Sequence, residues 1–363
     1  MSQTRDCVEP PARPRRRFRH PILIGVVYVL WIGLLCWGGL KFFWWWQFGV
    51  GVTEKPGVET VWQCFYPELY RSGAMDAKLG PDDGFYDVLL LGGSVLEQTA
   101  PEFERSLRRE FGDRFRLFNL ARAAHTSRDS FLKQSHLGNR HFDLVVFYHA
   151  INDARMNRCP DEVFRDDYTH MRFYRGFQAR LAAGRMDLTT FVEGNLAEAV
   201  PTGVNDNASK LYSGRIKTVN AFRNNLEPIV QSAEDRRCPI VLMTFAYHIP
   251  ANYSDQAFRA KRLDYGPSQV GMEIRLWGTP EGVQAAIDAH NRVIREVAGR
   301  HKNVIFVDQK GTLPADGRHF IDPCHLTRQG IELFVRHVMD AIRSDIERWT
   351  STHKEQPTRN RES

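Results

Sequence analysis

Several motifs are missing from this 363-residue sequence, and each absence narrows what the chain can do. The six cysteines form no C-x-x-C pair, which argues against a structural zinc site. The sequence contains neither a Gly-x-x-x-x-Gly-Lys-Ser/Thr phosphate loop nor a G-x-G-x-x-G dinucleotide fingerprint. It therefore gives no sign of a zinc-stabilised fold or of a nucleotide-binding loop.

The central part of the chain also lacks a charge surplus. The net charge is +6, but residues 1–20 contribute +4 and residues 351–363 contribute +1, which leaves +1 for residues 21–350. A nucleic-acid-binding domain concentrates basic residues on its folded surface. We therefore expect no nucleic-acid partner, and the basic N-terminus needs an explanation of its own.

Charged residues are absent from Pro21 to Leu40 as well, and this apolar run explains the arginines that precede it. The run is about the length that crosses a bilayer as a helix. Arginines on one side and a Trp- and Phe-rich stretch on the other match the positive-inside rule and the interfacial preference of Trp. We predict a disordered cytoplasmic tail (1–20), a single transmembrane helix (21–46) and a periplasmic or extracellular remainder.

A cleaved signal peptide is the main alternative to this anchor. Its apolar region is usually shorter, and small residues rather than bulky aromatics precede the cleavage site. A buried core helix would leave the arginines and the Trp cluster unexplained. If the remainder faces an oxidising compartment, disulfides are open to four cysteines, and the sequence does not choose a pairing. These cysteines are Cys64, Cys159, Cys238 and Cys324.

Short apolar runs alternate with helical patterns along the rest of the chain. The runs are typical of strands buried on both faces and cover 86–91, 115–120, 143–148, 239–245 and 303–307. The helical stretches are predicted at about 100–111, 127–138, 216–235, 281–300 and 326–349. This alternation predicts an α/β domain over 85–350, with helices on both faces of a parallel five-stranded sheet.

Four segments fall outside the alternation. Residues 47–84 hold scattered Gly, Pro and aromatic residues and are expected to form a linker or stalk. Residues 155–215 and 246–280 are expected to be insertions that act as cap or substrate loops, because insertions of this size usually carry function or are mobile. Residues 351–363 are expected to form a disordered tail.

Two polar residues directly follow predicted strands. Ser94 comes after Gly92-Gly93 at the end of the first strand, and Asn152 follows the third. Ligands of parallel sheets bind outside the carboxyl ends of the strands, so these side chains can meet there. Ser94 can be a nucleophile or a helix N-cap, and Asn152 can donate to an oxyanion or belong to a turn. On these segments alone, both interpretations stay open.

Asp322 and His325 lie three residues apart, just before a predicted helix. A tight turn would let the carboxylate reach one imidazole nitrogen and orient the ring that takes a proton from serine. Histidine has the right unperturbed pKa for this shuttle near neutral pH. The alternative is that these residues simply start the helix, and both can hold because catalytic groups often lie on loops at such positions.

Taken together, these segments resemble the SGNH (GDSL-type) hydrolase family over roughly residues 85–345. Gly92-Gly93-Ser94 is similar to the first family block, His149-Ala150-Ile151-Asn152-Asp153 to the third, and Asp322-Pro323-Cys324-His325 to the last. The resemblance implies a flavodoxin-like α/β/α fold and acyl chemistry without a metal or cofactor. It also implies Ser94 as nucleophile, His325 as base and Asp322 as the partner of His325.

The second family block departs from the usual pattern. Members have a glycine here that gives a backbone N–H to the oxyanion hole, and Ala124 stands in its place. Alanine offers the same N–H, but it costs stability if φ is positive. The implied oxyanion hole comprises Ser94, Ala124 and Asn152. Candidate substrate contacts are Arg122, His125, Asp153, His149 and His248.

The sequence as a whole predicts a membrane-anchored serine esterase. Its expected substrates are O-acyl groups, acetyl or another short acyl, on extracytoplasmic polysaccharide or lipid. Two alternatives stay open: an O-acyltransferase with the same residues, and a non-catalytic envelope binding or assembly protein that keeps the fold. The sequence does not give the acyl chain length, the acceptor or the oligomeric state.

Overall fold

The computed structural model describes residues 21–48, 51, 57–81, 83–184, 214–268 and 271–353. The chain divides into two compact units, Met1–Pro56 and Gly57–Ser363. Some predicted segments lie wholly or partly outside the described residues. They are the cytoplasmic tail 1–20, the stretches 185–213 and 269–270 of the two insertions, and residues 354–363 of the C-terminal tail.

The first unit contains one long helix, Pro21–Phe48. Within it, Ile22–Trp46 spans 25 residues with a mean hydropathy of 2.2. A helix of this length is long enough to cross the roughly 30 Å hydrocarbon core of a bilayer. The helix thus meets the length and composition of a membrane span, as a signal sequence also can. Its orientation stays a prediction.

Five parallel strands form the sheet of the second unit, in the order β2-β1-β3-β4-β5. They are β1 (Tyr86–Gly92), β2 (Phe115–Asn119), β3 (Leu144–Tyr148), β4 (Ile240–Met243) and β5 (Val304–Val307). This strand order is the flavodoxin-like one, in which the order reverses between β1 and β3. The predicted fold class is therefore confirmed, and the five apolar runs coincide with the five strands.

Helices cover both faces of this sheet. Helix Ser94–Phe111 packs against Arg328–Ala341 on one face, while Ser127–Leu137, Thr218–Asp235 and Pro280–Ala298 lie side by side on the other. The shorter helices are Val58–Phe65, Glu68–Arg71, Ile151–Arg155, Arg172–Ala182, Asp255–Arg259, Gln309–Thr312 and Arg343–Thr352, with a 3₁₀ turn at Ile274–Leu276. The helix predicted at 326–349 is thus two helices, which meet at the buried Ile342.

The core lies on both faces of the central strands. All seven residues of β1 and all five of β3 are buried. At the end of β3, the Tyr148 ring stacks on Phe245 at 4.6 Å and meets Phe334 edge-on at 4.9 Å. Burial on both faces accounts for the continuous apolar runs of the sequence, because neither face of such a strand contacts water.

Part of the predicted linker is folded instead. Residues 57–71, which we name the N-terminal strap, form two short helices within the second unit. Tyr66 and Leu69 are fully buried, and the Trp62 ring stacks on His136 at a centroid distance of 4.0 Å. The strap thus packs on the helix Ser127–Leu137. Pro67 interrupts the apolar pattern of the strap after two helical turns. The helical periodicity was missed because it can be recognised only over a longer run of residues.

The described cysteines are free thiols. They are Cys36, Cys64, Cys159, Cys238 and Cys324. None of the pairings open to the four cysteines of the second unit is therefore formed, and the fold of this unit rests on its packed core.

Candidate active site

Two glycines bring the end of β1 close to the end of β3. A Cβ atom on Gly92 would lie 3.1 Å from the Tyr148 carbonyl oxygen at the end of β3, and one on Gly93 would lie 3.0 Å from Asn152 Nδ2. Larger residues would push the two strand ends apart. The helix after β1 begins at Ser94 with Gly93 as its N-cap, so Ser94 does not serve as the cap. Its backbone N–H belongs to the first turn, where N–H groups have no partner within the helix.

The structure brings Ser94, His325 and Asp322 together. The distance between Ser94 Oγ and His325 Nε2 is 2.8 Å, although the residues are 231 positions apart in the chain. On the other side of the ring, His325 Nδ1 lies 2.7 Å from Asp322 Oδ2. Hydroxyl, imidazole and carboxylate are aligned in the same order as in the Ser-His-Asp triads of serine hydrolases.

Asp322 is fully buried and held by several donors. Besides His325 Nδ1, its oxygens accept the backbone N–H groups of Met272, Cys324 and His325 at 2.9, 2.9 and 2.7 Å. Burial alone would raise the pKa of Asp322, but the bonds from His325 and Cys324 outweigh it and lower the pKa. The ionised carboxylate accepts a hydrogen bond from Nδ1–H of His325. The unprotonated Nε2 of the ring can then accept a hydrogen bond from the Ser94 hydroxyl.

Gln98 ties the nucleophile helix to the histidine loop. Its Nε2 donates to the Leu326 carbonyl at 2.8 Å, and its Oε1 accepts the Leu326 N–H at 3.1 Å. Because Gln98 lies one turn after Ser94, this pair of bonds fixes the spacing between Ser94 and His325. The sequence analysis did not identify Gln98, since a glutamine on a helix has no pattern that marks such a partner.

Two hydrogen bonds orient the amide of Asn152. Its Nδ2 donates to the His125 carbonyl at 2.9 Å, and its Oδ1 accepts from Trp277 Nε1 at 3.0 Å. These bonds assign the amide nitrogen to the side of Gly93 and leave one Nδ2 hydrogen for another acceptor. Trp277 comes from the insertion predicted at 246–280, where no local pattern connects it to Asn152.

Ala124 occupies a turn with a positive φ. The His125 N–H donates to the Arg122 carbonyl at 3.2 Å, which closes a β-turn, and Ala124 has a φ of 64°. Glycine is the usual residue at such a position. Replacing the family's glycine with alanine therefore carries the cost that the sequence analysis made conditional on φ, about 1–2 kcal/mol. Among the described residues the Ala124 N–H has no hydrogen-bond acceptor, so it is available to a ligand.

Of the candidate contact residues on this turn, Arg122 faces solvent and His125 does not. Arg122 is 41% exposed and pairs with Glu97 at 3.0 Å, so its role as a substrate contact stays a prediction. His125 Nδ1 lies 3.0 Å from Lys133 Nζ. Burial, and then the nearby Lys133 charge, lower the pKa of His125 to about 3, which keeps the ring neutral.

Three other candidate contacts lie inside the fold. Asp153 is fully buried and accepts hydrogen bonds from Ser127 and Tyr168. His149 is 2% exposed, and its Nε2 lies 2.7 Å from a serine hydroxyl. His248 is 8% exposed, with Nε2 at 2.8 Å from a backbone carbonyl. Asp153 and His248 are engaged within the fold, whereas His149 also lines the small cavity beside Ser94, and contact of these three side chains with substrate stays a prediction.

The described residues contain one group with the spacing of metal ligands. Ligand atoms of Asp322, Cys324 and His325 lie within 4.8 Å of one another. Two of these residues already bind each other through His325 Nδ1, and the Cys324 thiol is buried with a pKa raised by burial. A neutral thiol is a poor metal ligand, so the group fits the serine relay better than a metal centre.

No protein-family model and no curated protein matches this chain. Solved structures similar to it include a putative acylhydrolase from Bacteroides fragilis, with 15% identity and a TM-score of 0.44 over 77% of this chain and 95% of that one. A GDSL-like lipase from Bacteroides thetaiotaomicron has 13% identity and a TM-score of 0.42 over 78% and 98%. An acetylxylan esterase from Geobacillus stearothermophilus has 16% identity and a TM-score of 0.40 over 73% and 96%.

Proposed function

We propose that this chain is a membrane-anchored serine esterase that removes short O-acyl groups, acetyl above all, from extracytoplasmic polysaccharide or lipid. The observation that carries the proposal is the continuous hydrogen-bond relay from Ser94 through His325 to Asp322. The relay lies at the β1/β3 reversal of strand order, where open α/β sheets bind ligands.

In the proposed reaction, Ser94 Oγ attacks the ester carbonyl while His325 Nε2 takes its proton. The carbon–oxygen bond to the alcohol then breaks, His325 returns the proton to the leaving oxygen, and an acyl group stays on Ser94. Water attacks this acyl-enzyme by the same route, releasing the carboxylic acid and free Ser94. The Asp322 carboxylate stabilises the imidazolium that forms in each half of the reaction.

Three N–H donors are assigned to the developing oxyanion. They are the backbone N–H groups of Ser94 and Ala124 and the unused Nδ2 hydrogen of Asn152. Removing one such donor costs roughly 10²–10³ in kcat, because the charge appears only as the transition state forms. The left-handed turn at Ala124 and the two bonds that fix Asn152 support this assignment.

The preference for a small acyl group rests on the space beside the nucleophile. Ser94, Val95, Ile151, Asn152 and Phe245 are among the residues that line a cavity of about 10 Å³. That volume holds about one water-sized group. So small a space favours the smallest acyl group, acetyl, because a longer acyl chain would have to displace the walls or lie outside.

The anchor and the substrate surface are proposed from the N-terminus. The arginines before Pro21 favour a cytoplasmic start, which places the esterase unit outside the cytoplasm. A tethered enzyme samples substrates close to the membrane, such as envelope polysaccharides and lipids. Resistance of the protein to alkaline carbonate extraction, together with its digestion by protease added to cells from which any outer membrane has been removed, would support this topology. Release by carbonate would refute the anchor.

The function is tested with p-nitrophenyl acetate, butyrate and octanoate. We expect hydrolysis of the acetate with kcat/KM falling as the acyl chain lengthens. Ser94→Ala should lose at least about 10³-fold. The matched control is Ser351→Ala, an exposed serine at the end of the last helix, which should keep full activity.

Three outcomes would contradict all or part of the proposal. Equal activity of wild type and Ser94→Ala would remove the nucleophile assignment. A folded wild-type protein that hydrolyses none of the three esters would remove the esterase assignment. Equal rates on acetate and octanoate would retain the esterase but reject the short-acyl preference.

A further inference from the structure

A buried ion pair lies behind the turn that carries Ala124. Lys133 Nζ is 3.2 Å from Glu68 Oε1, and both side chains are withdrawn from water, with exposures of 0% and 6%. Glu68 belongs to the N-terminal strap and Lys133 to the helix after the turn. A buried ion pair is costly to form and contributes little net stability on average. Its presence here calls for a role other than stability.

Lys133 contacts both ends of the turn. Its Nζ donates to the carbonyl of Leu120, just before the turn, and lies 3.0 Å from His125 Nδ1, at the end of the turn. The neutral His125 ring accepts at Nδ1, since its pKa is lowered by burial and by Lys133. The backbone between these two anchor points contains Ala124 at a φ of 64°.

The same turn also positions the side-chain donor. The His125 carbonyl accepts from Asn152 Nδ2 at 2.9 Å, so a shift of the turn would move this amide as well as the Ala124 N–H. Two of the three proposed oxyanion donors therefore depend on the path of residues 120–125. An alanine at positive φ would relax toward a commoner conformation unless the flanking residues are held.

We propose that Glu68 and Lys133 are positioning residues, which hold the Arg122–His125 turn in its left-handed conformation and thereby align the oxyanion donors. Lys133 contacts both ends of the turn. Burial lowers the pKa of Lys133, and the carboxylate of Glu68, followed by that of Asp129, opposes this shift. Through Glu68, the N-terminal strap thus contributes to the geometry of the site. The inference rests on the proposed esterase function.

The test is a double-mutant cycle between Lys133→Met and Ala124→Gly. Lys133→Met should lower kcat for p-nitrophenyl acetate roughly 10–100-fold with little change in KM, because a misplaced oxyanion donor affects the transition state more than substrate binding. Glycine adopts the positive φ without help. The ratio by which Ala124→Gly changes kcat should therefore be at least about threefold more favourable in the Lys133→Met background than in the wild type.

Lys217→Met is the matched control. Lys217 is also a buried lysine, with 5% side-chain exposure, and it contacts the Cys159 carbonyl and Asp161 away from the turn. It should lower thermal stability without any rescue of kcat by Ala124→Gly. If Lys133→Met does not fold, the neutral pair Glu68→Gln with Lys133→Met avoids an unpaired buried charge and replaces it in the cycle.

The outcomes separate this inference from the proposed function. A wild type without esterase activity rejects the function; the cycle is then read from Tm, and coupling of the two sites in Tm supports the positioning of the turn. The inference is overturned if the wild type is active and the effects of Lys133→Met and Ala124→Gly are independent of each other, both on kcat and on Tm. A kcat of Lys133→Met within about twofold of wild type overturns it also.

Discussion

Replacing Trp277 with Phe tests how the Asn152 amide is held. The substitution keeps an aromatic ring in a site that is 3% exposed but removes the N–H that donates to Asn152 Oδ1. The bond from Nδ2 to the His125 carbonyl remains, so the amide loses one of its two restraints. The lower limit of the effect is one hydrogen bond, about 1 kcal/mol or roughly fivefold in kcat. The upper limit is loss of the donor itself, about 3 kcal/mol or roughly 10²-fold.

The assay is steady-state hydrolysis of p-nitrophenyl acetate. We expect a 5–100-fold fall in kcat with KM changed less than about threefold. Trp349→Phe is the control, because Trp349 is also buried in the core but its indole N–H has no partner among the described residues. In an Asn152→Ala background, Trp277→Phe should add almost nothing. A full additional loss in that background, or a loss equal to that of Trp349→Phe, would refute the role assigned to Trp277.

Two further predictions concern buried carboxylates. Asp322→Asn should lower kcat roughly 10⁴-fold at neutral pH, because an amide at this position favours the wrong imidazole tautomer; activity within tenfold of wild type would contradict the relay. Asp153 has a pKa raised from 3.8 to about 7, chiefly by burial, so the folded state holds a proton that the unfolded state releases. Its contribution to stability is complete below about pH 4 and is lost as pH rises through about 7. Asp153→Asn should therefore gain stability relative to wild type between pH 4 and pH 8 in urea unfolding, and a pH-independent difference would count against this.

The three central strands β1, β3 and β4 could be predicted because they are buried on both faces. A strand such as β3, with all five residues buried, has no position that contacts water, and its sequence is therefore a continuous apolar run. Asp322 and His325 could be paired because only two residues separate them, so the turn that joins them is a local property. Ser94 could be placed at the sheet edge because it follows β1 directly.

The supporting residues could not be predicted, because their contacts are long-range. Trp277 meets Asn152 across 125 positions, and Gln98 meets Leu326 across 228. Neither pair has a spacing that distinguishes it from ordinary helix or loop residues. The strap was assigned to a linker for a similar reason, since its burial depends on a helix that begins more than fifty residues later. The positive φ of Ala124 could not be predicted either, because the residue type does not fix the sign of φ and the contacts of the flanking residues decide it.

The distance along the chain between the serine and its base has a consequence for biosynthesis. Ser94 and His325 are separated by 231 residues, so most of the second unit must be synthesised before the base exists. Under the proposed function, a nascent or truncated chain carries the hydroxyl without the group that activates it, and it should not hydrolyse esters. Hydrolysis of a chromogenic ester then reports the completion of folding and can be used to measure the refolding rate. A spectroscopic probe of the sheet alone would not report the pairing of Ser94 with His325.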